Sequence, residues 1–147
     1  MQKLALIIAL TVLAGAAAAH DHATGVVKER MDMMEAMAKH MKAIGDRLKS
    51  KRNLASIQKE AEGIKEHAPH LAHLFPPGST QTPTEAKPAI WKNFTDFEAK
   101  AKAMENAAAK LAGMEMRDPD AIAQQVRAVS ATCSGCHDLY REKRRKN

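Results

Sequence analysis

A chain of 147 residues with a net charge of +6 has room for one ordinary domain and not for two. Its 45% hydrophobic and 27% charged residues are a globular balance, but aromatics reach only 3% while there are 9 Met, so Ala, Leu, Ile, Val and Met must fill the core. That composition favours helices and argues against a β-sandwich or barrel, and 2 cysteines exclude a disulfide-stapled scaffold.

The first 19 residues read as an export signal. Lys3 supplies the positive start, Leu4 to Leu13 an apolar run broken by Thr11, and Gly15 to Ala19 the small residues that signal peptidase requires. The run is too short to span a bilayer and no second one follows, so no membrane span is expected. Cleavage after Ala19 would leave a single domain over 20–147, exported most simply to a bacterial periplasm. It would also place His22 third behind a free amine at His20, an arrangement that chelates Cu(II) or Ni(II) through backbone nitrogens.

Four segments then carry apolar residues at alternating spacings of three and four. The first runs from about Thr24 to Lys49, with Val27, Met34, Met37, Met41, Ile44 and Leu48 on one stripe and Arg30 as a misfit within it. The second, from about Asn53 to His67, turns Leu54, Ile57, Ala61 and Ile64 inward. Phe75 to Pro88, with its prolines and Gly78, predicts the one long crossover. A third helix is expected from Lys87 or Pro88 through Phe94, Phe97, Ala101, Met104, Ala108 and Leu111, stopping at Gly113. The fourth opens with Asp118 as N-cap and Pro119 in the first turn. Its stripe is Ile122, Val126, Val129, Cys133, Cys136 and Tyr140. The other links are short, which makes neighbours antiparallel, so the spacing predicts an all-α antiparallel four-helix bundle.

Polar residues off the stripes take plain readings first. His67, His70 and His73 recur every three residues, but Pro69 interrupts their helix, so exposed side chains are expected there and not a metal cluster. His40 reads as a solvated flank. Arg141, Lys143, Arg144, Arg145 and Lys146 crowd the end of the chain, where cations complement a helix C-terminus. A nucleic-acid surface would want aromatics interleaved with that charge, so no nucleic-acid partner is expected.

Cys133-Ser134-Gly135-Cys136-His137 carries the chemistry. A Cys-x-x-Cys-His run is the attachment signal for c-type haem: the two thiols add across vinyl groups and the adjacent His ligates iron. On a helix the three residues share one face, and the stripe turns that face inward. A thioredoxin-like pair wants a preceding strand, and a structural zinc site wants two further ligands; the sequence offers neither. A Cys133–Cys136 disulfide is the remaining alternative.

With this motif only ten residues from the end, the chain resembles the class II cytochromes c. The carriers, in order, are Arg30-x-x-x-Met34-x-x-Met37, Ile44-Gly45, Phe75-Pro76-Pro77-Gly78, Pro88-x-Ile90-Trp91 and Cys133-x-x-Cys136-His137-x-x-Tyr140-Arg141. The family comprises cytochrome c prime and low-spin relatives such as cytochrome c-556, and the resemblance spans essentially the whole mature chain. It implies a bundle holding one haem c through thioethers at Cys133 and Cys136, with His137 as proximal ligand. It further implies Arg30 on a haem propionate, Trp91 near the haem, and Arg141 close to the proximal imidazole. Met34 matches the position facing the distal side, where a thioether would complete His/Met ligation suited to electron transfer with redox partner proteins. Five-coordinate relatives leave that position open to NO or CO, which is the alternative. Many relatives pair through their first two helices, so a homodimer is a second expected partner. No nucleophile with a base appears, and no enzymic activity is expected.

Overall fold

The computed structural model describes residues 23–143; the export segment, His20, His22 and the basic residues 144–146 lie outside them. Helices α1 (Gly25–Ser50), α2 (Ser56–His67), α3 (Ala89–Lys92), α4 (Phe94–Ala112) and α5 (Pro119–Tyr140) follow in chain order. The four long ones form the antiparallel bundle, α1 packing on α2, α2 on α4, and α4 on α5. Of the four adjoining pairs, α1 and α5 touch least, which leaves a gap between them.

Each long helix is shaped by its own residues. α1 buries Val27, Met37 and Ile44 and lays i,i+4 ion pairs along its wet side, Lys28–Asp32 at 2.6 Å and Lys42–Asp46 at 2.8 Å. It ends where Lys51 adopts a left-handed φ of 52° and returns its N–H to the Leu48 carbonyl. Asn53, also left-handed at φ 50°, delays α2 to Ser56, three residues later than the apolar spacing predicts. At the other end of the chain Asp118 accepts from the N–H groups of Asp120 and Ala121 at 2.9 and 3.2 Å, and Pro119 needs no such partner.

The expected third helix is not continuous. Asn93 leaves the helical region (φ −131°, ψ 45°) and divides it into α3 and α4. Its side-chain amide donates to the Ala89 carbonyl at 3.2 Å, so the side chain competes with the helical ladder. Its own carbonyl then accepts from Phe97 at 3.0 Å and α4 proceeds.

The crossover is tied down at several points. Trp91 donates its indole N–H to the carbonyls of Phe75 and Pro76, both at 3.0 Å. The Lys87 N–H reaches the Tyr140 carbonyl at 2.9 Å and the Glu142 N–H reaches Glu85 at 2.8 Å, an isolated antiparallel bridge that sews the loop to the end of α5. Phe97 sits beneath these ties at 2% exposure, edge-on to Phe75 at 4.8 Å and to Tyr140 at 5.4 Å between ring centroids.

His40 corrects its reading as a solvated flank. It is half-buried between α1 and α2, its Nδ1 is 2.8 Å from a Glu60 carboxylate oxygen, and its ring lies over Gly63. A Cβ at position 63 would fall 2.4 Å from His40 Nε2, so glycine there makes room for the imidazole. Nothing in helical periodicity marks such a pairing.

Candidate cofactor site

The register of α5 is fixed upstream by its Asp118 cap, by buried Ile122 and Val129, and by Gln125, whose amide donates to the Ala107 carbonyl of α4 at 2.9 Å. One turn further on, Cys133, Cys136 and His137 line one wall of a cavity of about 240 Å³. Met34, Met37 and Met41 of α1 line it as well, together with Ile64 of α2, Leu71 of the following turn, and Lys100 and Met104 of α4. The walls are overwhelmingly apolar, as a buried group needs.

Both cysteines are free thiols, not a disulfide. Burial pushes the Cys133 thiol up and carries Cys136 to about 11, with Lys100 pulling Cys136 back slightly. The protonated thiol is thereby favoured at both positions. Burial lowers His137 below the ordinary imidazole value; the Arg141 charge lowers it further, while Glu85 and Asp138 oppose. The neutral ring is thereby favoured, and that is the form that ligates a metal.

Of the residues predicted from sequence, the cavity brings together Cys133, Cys136, His137 and Met34. Arg30, Trp91 and Arg141 are not among its walls. Arg30 is 3% exposed, as its place on the stripe implies, and donates to Ser79 Oγ at 3.1 Å, to the Ser79 carbonyl at 2.6 Å and to Thr84 Oγ1 at 2.8 Å. Its guanidinium also lies 4.8 Å from the Phe75 ring centroid. All of these partners are neutral. Trp91 anchors the crossover, and Arg141 stands at the end of α5, acting on His137 by charge. Among the described residues no three His, Cys, Asp or Glu side chains are gathered to hold a metal ion, and His70 and His73 are exposed.

Spacing missed two features of the site. Met37 and Met41, read as packing, line the cavity beside Met34, so α1 offers a wall of three thioethers. Lys100 also lines it. Its signal was present, because Lys100 falls three after Phe97 and four before Met104, a charged misfit of the same kind as Arg30.

Just outside the cavity Tyr140, 5% exposed, donates its hydroxyl to Asp96 Oδ2 at 2.5 Å. This bond to a carboxylate pushes the phenol up to about 12, burial adding to the effect. A phenol raised in the fold stabilises it fully below the unfolded value near 10, and that contribution is lost as pH rises from there through about 12. Tyr140 is the only tyrosine in the chain, so tyrosinate absorption reads it directly. The native protein is expected to titrate about two units above the ordinary value and Asp96→Ala close to it. A native midpoint near 10 would contradict the bond.

Two unpaired thiols and a neutral-leaning imidazole on one apolar wall fit a porphyrin that is thioether-linked and His-ligated, and fit poorly any site needing a charged ligand cage. Comparison with known proteins agrees. The family model described as cytochrome C' matches residues 25–141. The chain is 36% identical over 146 residues to a cytochrome c' of Rhodospirillum rubrum, covering 96% of this chain and 97% of the relative. It is 34% identical over 126 residues to a cytochrome c-556 of Agrobacterium fabrum, covering 84% and 85% respectively. The solved structure of cytochrome c' from Rhodopseudomonas palustris superposes with a TM-score of 0.77 at 28% identity, covering 84% of this chain and all of that one. The chain belongs to the cytochrome c' family of class II cytochromes c, four-helix bundles that bind a single covalent haem c.

Proposed function

We propose that the protein is an exported, periplasmic electron carrier whose haem iron is ligated by His137 and Met34. The observation that carries this reading is the thioether wall: Met34 lines the same cavity as His137, from the helix across the gap. Support for export comes from residues 1–19, and no helix among the described residues is long and apolar enough to cross a membrane.

Bound haem supplies a one-electron couple, and the chain sets its conditions. Cys133 and Cys136 would hold the group through thioethers, and His137 would offer it a neutral imidazole. A soft Met34 sulfur would favour ferrous over ferric iron, and the apolar walls would exclude water. Arg30, whose hydrogen-bond partners here are neutral, has its charge free to complement a propionate. Arg141 adds positive charge beside the imidazole. Trp91 keeps the crossover closed over Phe75. The partners in this role are redox proteins, and the outer face of α1 and α2 is where a second copy would pair.

Absorption spectra of the holoprotein, oxidised and reduced, with and without carbon monoxide, test the ligation. A low-spin spectrum that barely responds to the gas is expected. Met34→Ala should convert it to a high-spin form that binds carbon monoxide readily, while Met37→Ala and Met41→Ala leave it low-spin. A native protein that is already high-spin and binds the gas would overturn His/Met ligation and make the open-site, NO- or CO-binding role the better reading.

A further inference from the structure

Lys100 is the one cavity-lining side chain with a fixed charge; the rest of the wall is Met, Ala, Ile, Leu, Ser, Thr and Cys, with His137 leaning neutral. Its side chain is 29% exposed, and its charge is felt at Cys136. An ordinary explanation would be a surface ion pair with Asp96, one turn earlier on α4. That pair is long, 3.8 Å, whereas the same Asp96 oxygen takes the Tyr140 hydroxyl at 2.5 Å. Asp96 is therefore held mainly by Tyr140, and Lys100 lines the cavity with only a long contact to its countercharge.

A charge on the wall of an apolar cavity acts strongly on whatever fills it, because neither water nor wall dipoles screen it well. Reduction adds an electron to the haem, so a nearby cation favours the reduced state and a nearby anion opposes it. We infer that Lys100 and Asp96 form the charge pair that sets the haem's reduction potential from the α4 side, Lys100 raising it and Asp96 restraining it. This rests on haem occupying the cavity and not on Met34 ligation.

The test is the midpoint potential of the holoprotein by spectroelectrochemical titration, with the absorption spectrum recorded for each variant. Lys100→Gln is expected to make reduction less favourable by about threefold to tenfold, up to about 59 mV for a one-electron couple. Lys100→Glu should shift it further the same way, and Lys100→Arg should leave it near the native value. Asp96→Asn should shift it in the opposite direction, which loss of packing alone would not do. Lys102→Gln removes the same charge from an exposed side chain on the same helix, paired with Glu105 at 2.8 Å, and should change little. If Lys100→Gln does not load haem, Lys100→Met carries the same comparison, being of similar length and apolar. A potential unmoved by Lys100→Gln or Lys100→Met, or moved equally by Lys102→Gln, would overturn the inference. A high-spin native spectrum with the expected shifts still present would overturn only the Met34 assignment.

Discussion

Replacing Cys133 and Cys136 together by Ala leaves a chain whose haem no longer survives denaturation. The native protein should keep its haem stain through a denaturing gel and resist acid–acetone extraction; the double variant should lose the stain and release the pigment. Either single variant keeps one thioether and should fall between. The two thiols are the only cysteines in the chain, so no other sulfur can substitute. Stability should drop as well, because a weakly held haem is a haem that leaves. At about 24 cal/mol per Å³, an unfilled cavity of about 240 Å³ would cost about 6 kcal/mol in the cavity term alone. That is a large share of the roughly 5–15 kcal/mol a domain possesses. Denaturant midpoints of the native and double-variant proteins check it; equal midpoints with the stain retained would contradict covalent attachment through these residues.

Phe97→Ala is the second large effect, and it acts without touching the cavity wall. The ring is 2% exposed and meets Phe75 of the crossover and Tyr140 of α5 edge-on, so truncation removes the contact that joins three elements. A loss of about 3–5 kcal/mol is expected from burial and cavity formation together. The consequences should extend further than the number. Phe75 lies under the Arg30 guanidinium, and Tyr140 holds Asp96, so slack at position 97 reaches both charged groups. Denaturant unfolding gives the energy, and the tyrosinate titration should fall back toward its ordinary value in the same variant. A variant as stable as the native chain would contradict the keystone role of this ring.

Helical spacing showed the long helices and most of their buried faces, because Ile44, Ile57, Ile64, Ala108, Leu111 and Val129 recur at three and four and have one inward solution. The haem-attachment motif was legible for a different reason: Cys133-x-x-Cys136-His137 is a local chemical unit whose meaning does not depend on the rest of the chain. Arg30 was legible as an anomaly, a charge on an apolar stripe, although its neutral partners Ser79 and Thr84 were not, since they come from a loop with no periodicity. The break at Asn93 was hidden because the apolar pattern continues across it; only the amide's bond to Ala89 reveals it. His40 over Gly63 escaped because a polar residue beside a stripe is usually wet, and only the neighbouring helix decides otherwise; Lys100 carried the same kind of signal as Arg30, a charge at stripe spacing between Phe97 and Met104.

The unequal packing around the bundle bears on how a flat, rigid group gets in. Three edges of the square of helices are closed by side chains and one, between α1 and α5, is left loose. α1 is joined to α2 through a five-residue link that contains two left-handed residues, Lys51 and Asn53. A flat group entering along the loose edge would reach the thiols by the side where the least packing has to give. With Cys133 and Cys136 on α5 and Met34 on α1 both lining that edge, a group bonded to them would turn it from the least packed edge into one held by bonds.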